Sequence, residues 1–467
     1  MNKLYFLFCL LWLACTYGQS KQDKQLEKKL DELLSSKFSL SEPGIEVLVA
    51  KKGEIVYNKA FGSANLELNV PIKPDMVFKL GSITKQFTAV AILQLVEQGK
   101  ISLQDNLQKF VPDYPSYSQK ITIENLLTHT SGIKDYMQID YQEPYLERRD
   151  FEPKELIDLF KNVPLEFEPG TKYKYSNSGY YLLGYIIEKI SGKSYSAYLQ
   201  ENILKPLALN NTYFDNSNSI IPNRVNGYRK DGKVFKNADY WSMTIAYAAG
   251  ELISNTEDLL KWNEGLYSYK ILKKETIEKA FVPFKLKDGS VVEYGYGWIL
   301  KNVNGIKSIE HGGAITGFLT NEIYYPEEKV FVAALFNCEC APKDELTVDI
   351  ASLALGKTFQ QEVKVDTALL NEYIGIYTLS IDTKRTITIT NENGQLLAKI
   401  SGQGTVPLIF QSDTKFQFKN VLGAECEFVK ENGKVTKFNI SQNGNFEWKK
   451  KSIETYILTK DKIKSLK

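Results

Sequence analysis

The chain has 467 residues, 43% of them hydrophobic and 24% charged, which is an ordinary globular composition and enough for two or three domains. A formal net charge of +2 gives no electrostatic reason to expect nucleic acid or an acidic surface as partner. The only two histidines, His129 and His311, have no second ligand type beside them at ligand spacing, so neither a metal nor a cofactor is expected.

The chain opens with Lys3 and an apolar stretch from Leu4 to Ala14, followed by Thr16-Tyr17-Gly18. This reads as a secretory signal over 1–18, too short to span a bilayer, and predicts an exported protein, periplasmic or secreted. Leu13-Ala14-Cys15 offers a lipoprotein anchor as the competing reading, with Trp12 poorly suited to it. No later stretch is apolar enough to cross a membrane. Cys9 and Cys15 fall in this leader, leaving Cys338, Cys340 and Cys426. An odd count without regular spacing is no disulfide framework, although export permits one bridge.

Gln22 to Leu34 predicts a charged helix with Leu26, Leu30, Leu33 and Leu34 on one side. Ile45 to Ala50 and Ile55 to Ala60, joined around Lys52-Gly53, predict a hairpin. Ser82 then opens a segment with apolar residues at helical spacing, from Ile83 and Phe87 to Leu95 and Val96, closed by Gly99. Residues three apart share a helix face, so the Ser82 hydroxyl and the Lys85 amine can meet. Desolvation drives a lysine toward its neutral form, and a neutral amine can accept a proton from serine. Ser-x-x-Lys recurs at Ser131 to Lys134 and at Ser412 to Lys415, so the spacing alone selects nothing. Only Ser82 stands at the head of a long helix, where free N–H groups could face an oxyanion.

Ile123 to Leu127 leads as a helix into Thr128-His129-Thr130-Ser131-Gly132, a loop in which His129 reads as structural. Tyr175 and Asn177 lie two apart on an extended loop, so a phenol and an amide point the same way, ahead of a helix beginning near Gly179. A phenol near a lysine could relay a proton, and an amide could hold a substrate carbonyl or the lysine itself. Gly227 to Lys233 resembles a phosphate loop, but Val234 stands where Ser or Thr is needed, and Asp231-Gly232 reads as a hairpin turn. No Gly-x-Ser-x-Gly elbow occurs.

Leu252 to Trp262 predicts a helix capped by Asn255 or Thr256. Short strands follow: Ser308 to Glu310, Asn321 to Tyr325 and Val330 to Phe336. His311-Gly312-Gly313-Ala314 stands at the end of the first. Two glycines beside a histidine let a backbone approach a ligand, and the Ala314 N–H could be a second oxyanion donor; a hairpin turn is the plainer alternative. Asp344 to Gly356 predicts a helix that ends the main domain, and 357–366 a polar linker. Short alternating segments from Tyr373 onward, some joined by Asn-Gly turns, predict a small all-β barrel or sandwich.

Taken together, Ser82-x-x-Lys85, Tyr175-x-Asn177 and His311-Gly312-Gly313 resemble the motif set of the penicillin-recognising serine hydrolases, in particular the class C β-lactamase-related branch with its esterases and D-amino-acid peptidases. Leu126 to Ile133, Glu168-Pro169-Gly170 and Tyr294-Gly295-Tyr296-Gly297-Trp298 are similar to further stretches of that branch. The resemblance covers roughly Leu33 to Gly356. It implies an α+β fold: an antiparallel sheet flanked by helices plus an all-helical subdomain over 19–358, followed by an accessory β domain over 369–467. It also implies acylation of Ser82, with Lys85 and Tyr175 as base and proton relay, in an order the sequence leaves open. Asn177, His311 and Gly313 would bind substrate, and the N–H groups of Ser82 and Ala314 would receive the oxyanion. The expected substrate is a small molecule or peptide carrying an ester or amide, cell-wall peptides among the candidates.

The resemblance leaves open a catalytically weak penicillin-binding or sensor protein, or a D-amino-acid-specific cell-wall peptidase. One departure bears on this. The strand carries His311-Gly312-Gly313 where β-lactamases and transpeptidases commonly have Lys-Thr-Gly, which weakens the grip on a substrate carboxylate and favours esters or peptides over penicillins. Glu251, after Gly250 where a second glycine is expected, would narrow the pocket.

Overall fold

The computed structural model describes residues 22–451 apart from 144, 217, 304, 358–362, 364, 393, 402–403, 420, 422–423, 432 and 442–444. The expected signal segment, Cys15, most of the expected 357–366 linker and parts of the Asn-Gly turns lie outside the described residues. The chain divides into two compact units. One takes in the chain up to Lys301, Ile306–Lys343 and Leu353–Leu355; the other takes in Asn302–Gly305, Asp344–Ser352 and the chain from Gly356 on.

The first unit is built on a six-stranded sheet. Its strands are β1 (Ile45–Lys51), β2 (Glu54–Phe61), β3 (Ile299–Val303), β4 (Ile306–Ile315), β5 (Phe318–Tyr325) and β6 (Val330–Phe336), in the spatial order β3-β4-β5-β6-β1-β2. The β1–β2 turn takes positive φ at both Lys52 and Gly53, the geometry that matches the twist of a two-residue hairpin. Strand β1 is an interior strand, buried over Ile45 to Ala50, and pairs antiparallel with β2 and β6. Helix α1, over residues 22–35, buries Leu26, Leu30 and Leu34 and ties to β2 through Asp31, which accepts from Tyr57 Oη and Lys59 Nζ.

The helical part gathers round α2 (Thr84–Glu97) and α3 (Asn177–Ser191). Helix α2 is buried on all sides from Thr84 through Leu95, as a central helix must be, and it carries Thr84, Lys85, Gln86, Thr88 and Gln94 into that interior along with its apolar residues. Ser82 itself lies in a single 3-10 turn, Gly81–Ile83, just before α2 rather than at its first turn. Helix α3 starts at Asn177, two residues before the expected point, because Ser176 is extended and serves as its N-cap residue.

Leu252 to Ser254 form a short strand instead of the first turn of a helix. It pairs with Phe78–Lys79, and the helix Thr256–Tyr267 starts only after Asn255, whose side chain caps it. The apolar pair Leu252-Ile253 continues the helical pattern on paper, but the Asn255 cap separates strand from helix. His311 to Ala314 lie within β4, not at a strand end or turn: His311 pairs with Glu322 and Ala314 with Leu319.

After β6 the chain carries a disulfide between Cys338 and Cys340. Between them Glu339 turns its carboxylate to the β4–β5 hairpin, accepting from the Gly317 N–H at 2.7 Å. The Cys426 thiol is buried and lies 3.9 Å from the Ala424 carbonyl oxygen.

The second unit contains a closed eight-stranded barrel from Gly375–Leu379 to Asn445–Lys450. Closure leaves no open sheet edge. Its interior is filled by aromatic side chains, with Tyr373 stacked on Phe428 at 3.9 Å between centroids and Phe416 on Phe428 at 4.5 Å.

Candidate active site

Ser82 is the one residue between Leu80 and Leu95 that is not buried. Gly81 precedes it at φ 55°, and a Cβ there would come within 3.0 Å of the Ala314 nitrogen, so glycine admits β4 against the serine turn. On the facing strand, a Cβ on Gly313 would lie 1.9 Å from the Leu80 carbonyl oxygen and 2.3 Å from Thr320 Oγ1. Thr320 Oγ1 in turn donates to Leu80 O at 2.8 Å. Both glycines are therefore required for the serine turn and β4 to touch. Ser82, Asn177, Ala249, Gly250 and Ala314 line one cavity of about 80 Å³. Glu251 is not among its lining residues, so it does not narrow the pocket as expected.

Lys85 is fully buried one turn beyond Ser82. Its Nζ lies 3.0 Å from Ser82 Oγ, 2.8 Å from Asn177 Oδ1 and 2.8 Å from the Ala249 carbonyl oxygen. Two of these partners can only accept. A charged lysine fills all three contacts with its three protons. A neutral one keeps two N–H donors on Asn177 and Ala249 and turns its lone pair to the serine hydroxyl. Burial pushes the amine down to about 7, with Asp135 opposing part of the shift.

Asn177 is oriented from behind, since its Nδ2 donates to Asp135 Oδ2 at 2.9 Å. The Asp135 carboxylate fixes which end of the amide faces Lys85. Asp135 is itself buried and accepts from the Met137 N–H, closing a short 3-10 turn.

Tyr175 lies on the other side of the lysine, whose Nζ is 4.9 Å from its ring centre. The Tyr175 hydroxyl is buried and has no hydrogen-bond partner of normal geometry among the described residues. Burial holds this phenol far above its ordinary range, and the neighbouring Ser82 hydroxyl pulls weakly the other way. The ring is boxed in by aromatic neighbours, with His129 at 4.2 Å, His311 at 6.2 Å and Tyr294 at 6.4 Å between centroids. His129, at φ 57°, accepts the Ser176 N–H on Nδ1 and so fixes the approach of the chain to Tyr175 and Asn177.

His311 is buried, and both of its nitrogens are engaged: Nδ1 with Gly312 O at 2.6 Å and Nε2 with Tyr294 Oη at 3.0 Å. The carbonyl can only accept, so Nδ1 carries the proton and Nε2 accepts from the phenol. Burial pushes the imidazole down to about 3, assisted by the nearby Lys85. It is neutral at physiological pH, and supplies no cation where a carboxylate would otherwise be gripped. Thus Ser82, Lys85, Tyr175, Asn177 and Ala314 converge, while His311 stands behind Tyr175 rather than open to a ligand.

Asp135, Ala249 and Tyr294 were not singled out from the sequence. Asp135 has no motif around it, and its partner is 42 residues away. Ala249 contributes only a carbonyl, which no side-chain pattern can mark. Tyr294 lies in the Tyr-Gly-Tyr-Gly-Trp stretch, where the aromatic repeat was visible and its role was not.

Residues 24–355 match the family described as Beta-lactamase. Penicillin-binding protein 4* of Bacillus subtilis (strain 168) is 30% identical over 427 residues, 86% of this chain and 93% of that protein. An octameric penicillin-binding protein homologue from Pyrococcus abyssi superposes with a TM-score of 0.64 at 28% identity, over 91% of this chain and 99% of that one. A D-stereospecific amidohydrolase from Streptomyces sp. superposes with a TM-score of 0.59 at 25% identity, over 71% and 97%. Extent of match, fold and relatives agree: the chain belongs to the beta-lactamase family of serine hydrolases, related to the penicillin-binding proteins.

Proposed function

We propose that the protein is an exported hydrolase that cleaves an ester or amide through an acyl intermediate on Ser82. The observation that carries this reading is the environment of Lys85, whose neutral form has one free lone pair and one partner able to give it a proton. The Ser82 hydroxyl passes its proton to Lys85 Nζ while Oγ bonds to the substrate carbonyl carbon. The charge that develops on the carbonyl oxygen is received by the N–H groups of Ser82 and Ala314. As the intermediate collapses, the bond to the leaving group breaks. The departing oxygen or nitrogen takes a proton from the Lys85 ammonium, directly or through the Tyr175 hydroxyl. A water then attacks the acyl carbon by the same steps in reverse roles, releasing the acid and restoring the serine.

This assigns first proton acceptance to Lys85. Its amine titrates near neutrality, whereas the Tyr175 phenol is held protonated and suits relay as an acid. His311 and Tyr294 brace Tyr175. The neutral His311 supports esters, amides or D-peptides over penicillins as substrates, and the D-stereospecific amidohydrolase among the structural relatives supports amides.

The test is a screen of the mature protein over p-nitrophenyl esters, nitrocefin and D-amino-acid amides, with Ser82→Ala beside it. Replacing the nucleophile should lower kcat on the order of 10⁶-fold. A fluorophosphonate should label Ser82, as read by peptide mapping. Undiminished turnover by the purified variant would falsify the proposal.

A further inference from the structure

Trp241 forms part of the wall of three cavities. The first is the small cavity at Ser82. The second, of about 530 Å³, is mostly apolar, with Tyr136, Ile139, Leu156 and Ile245 in its wall, but Asp140, Glu143 and Glu147 also line it. The third, of about 550 Å³, contains Lys79 and Arg224 together with Asp150, Asp215 and Asp239. Tyr136 and Met137 belong to the first two, so the 530 Å³ cavity adjoins the serine, and among the described residues Trp241 alone is common to all three.

The polar cavity holds a built charge cluster. Asp215, 5% exposed in its side chain, lies 3.1 Å from Lys79 Nζ and 3.0 Å from an Arg224 guanidinium nitrogen. Lys79 precedes Ser82 by three residues, which sets this cluster on the flank of the serine turn.

The chain carrying Trp241 is tied down on both sides. Ser242 donates its N–H to Glu147 O at 2.8 Å and its hydroxyl to Asp150. On the other side, Ala238 N–H donates to Gly227 O at 3.0 Å, and Asp239 O accepts from Thr316 Oγ1 at 2.8 Å. Residues 238–242 therefore make a strap anchored to the 147–150 segment at one end and to the β4–β5 hairpin at the other. The indole Nε1 is buried and has no hydrogen-bond partner among the described residues. Indole N–H can only donate, and a buried donor without an acceptor is unfavourable until an oxygen reaches it.

We propose that Trp241 decides which esters and amides reach Ser82. Its ring parts the two arms of the substrate, with an apolar arm of aromatic size in the 530 Å³ cavity and a polar arm in the 550 Å³ cavity. Its indole N–H donates to an oxygen of the bound substrate. The substrate class is then an ester or amide that joins a bulky apolar group to a polar one. This rests on Ser82 being the nucleophile.

The experiment compares kcat/KM for the 3-hydroxybenzamide esters of acetic and phenylacetic acid, and for methyl and benzyl succinamate, which carry the bulk on the opposite arm. Wild-type protein should prefer the aromatic member of at least one pair by about 30-fold or more. Trp241→Ala merges the cavities and should bring that ratio close to one. Trp241→Phe keeps the partition and should keep the ratio, while losing about tenfold in kcat/KM on both members through the missing donor. Fluorophosphonate labelling of Ser82 is followed in all three proteins. Labelling without any aromatic preference in the wild type, or with the preference intact in Trp241→Ala, overturns the role of Trp241. Labelled Trp241→Phe with wild-type kcat/KM overturns the hydrogen bond. Absence of labelling in the wild type overturns the nucleophile instead.

Discussion

Burying an amine has a thermodynamic cost that depends on pH, and the direction of its titration fixes the sign at Lys85. The folded-state value is pushed from 10.5 down to about 7, so between these values the unfolded chain holds a proton that the folded chain lacks. Stability contributed at high pH is lost as pH falls from about 10 to about 7, and changes no further below that. The window is worth on the order of 4–5 kcal/mol. Lys85→Met lacks this dependence. Its stability relative to wild type, measured by denaturant melts at several pH values, should rise by that order from pH 10 to pH 7, whatever constant offset comes from the unpaired Asn177 and Ala249 oxygens. Activity should run the opposite way to the burden: kcat/KM of the wild type should climb with pH and level off above about 7, as the amine loses its proton. A profile flat from pH 5 to 9 would remove Lys85 from the role of base. Ser82 and Lys85 could be read from the sequence because one helical turn joins them. Asp135 could not, since an aspartate that orients an amide from across the fold leaves no local mark.

Among the elements, β4 and the serine turn show how glycine governs approach. A methyl group on Gly313 would run into the Leu80 carbonyl, which is backbone and cannot swing aside. A methyl group on Gly312 would meet Lys343 Nζ at 2.8 Å, the far end of a flexible side chain. Gly313→Ala should therefore lower stability by about 1–3 kcal/mol and depress kcat by displacing the residue two before Ser82, while Gly312→Ala should be milder on both. Thermal melts with parallel kinetics on one ester check the pair; equal effects would deny that the Leu80 contact governs the site. The sequence shows the Gly-Gly pair but not its setting in mid-strand, because the register with β5 depends on Leu319 and Glu322 and not on local residues. Leu252 to Ser254 failed for a related reason. Their pairing with Phe78 and Lys79 is made across more than 170 residues, and the neighbouring helix masked it.

In the molecule as a whole, two units each have their own buried core, one aliphatic and aromatic round α2, the other aromatic inside the barrel. Alternation with turn residues was enough to expect a small β domain; closure of its strands into a barrel rests on the pairing of Gly375–Leu379 with Asn445–Lys450, a long-range choice. Scanning calorimetry should resolve two transitions, and covalent modification of Ser82 should raise only one of them. A single transition that moves as one body on acylation would show the cores to be coupled. The Cys338–Cys340 link spans only two residues, so it restricts the denatured chain very little and adds little to its cohesion. What it does restrict is the direction of the Glu339 carboxylate that grips the hairpin tip next to Ala314 and Ile315. A dithiol, taking up the bond at the exposed Cys340 sulfur, should leave both heat-absorption peaks where they stood and yet slow turnover: a chemical potential outside the enzyme, read as catalytic rate and not as durability.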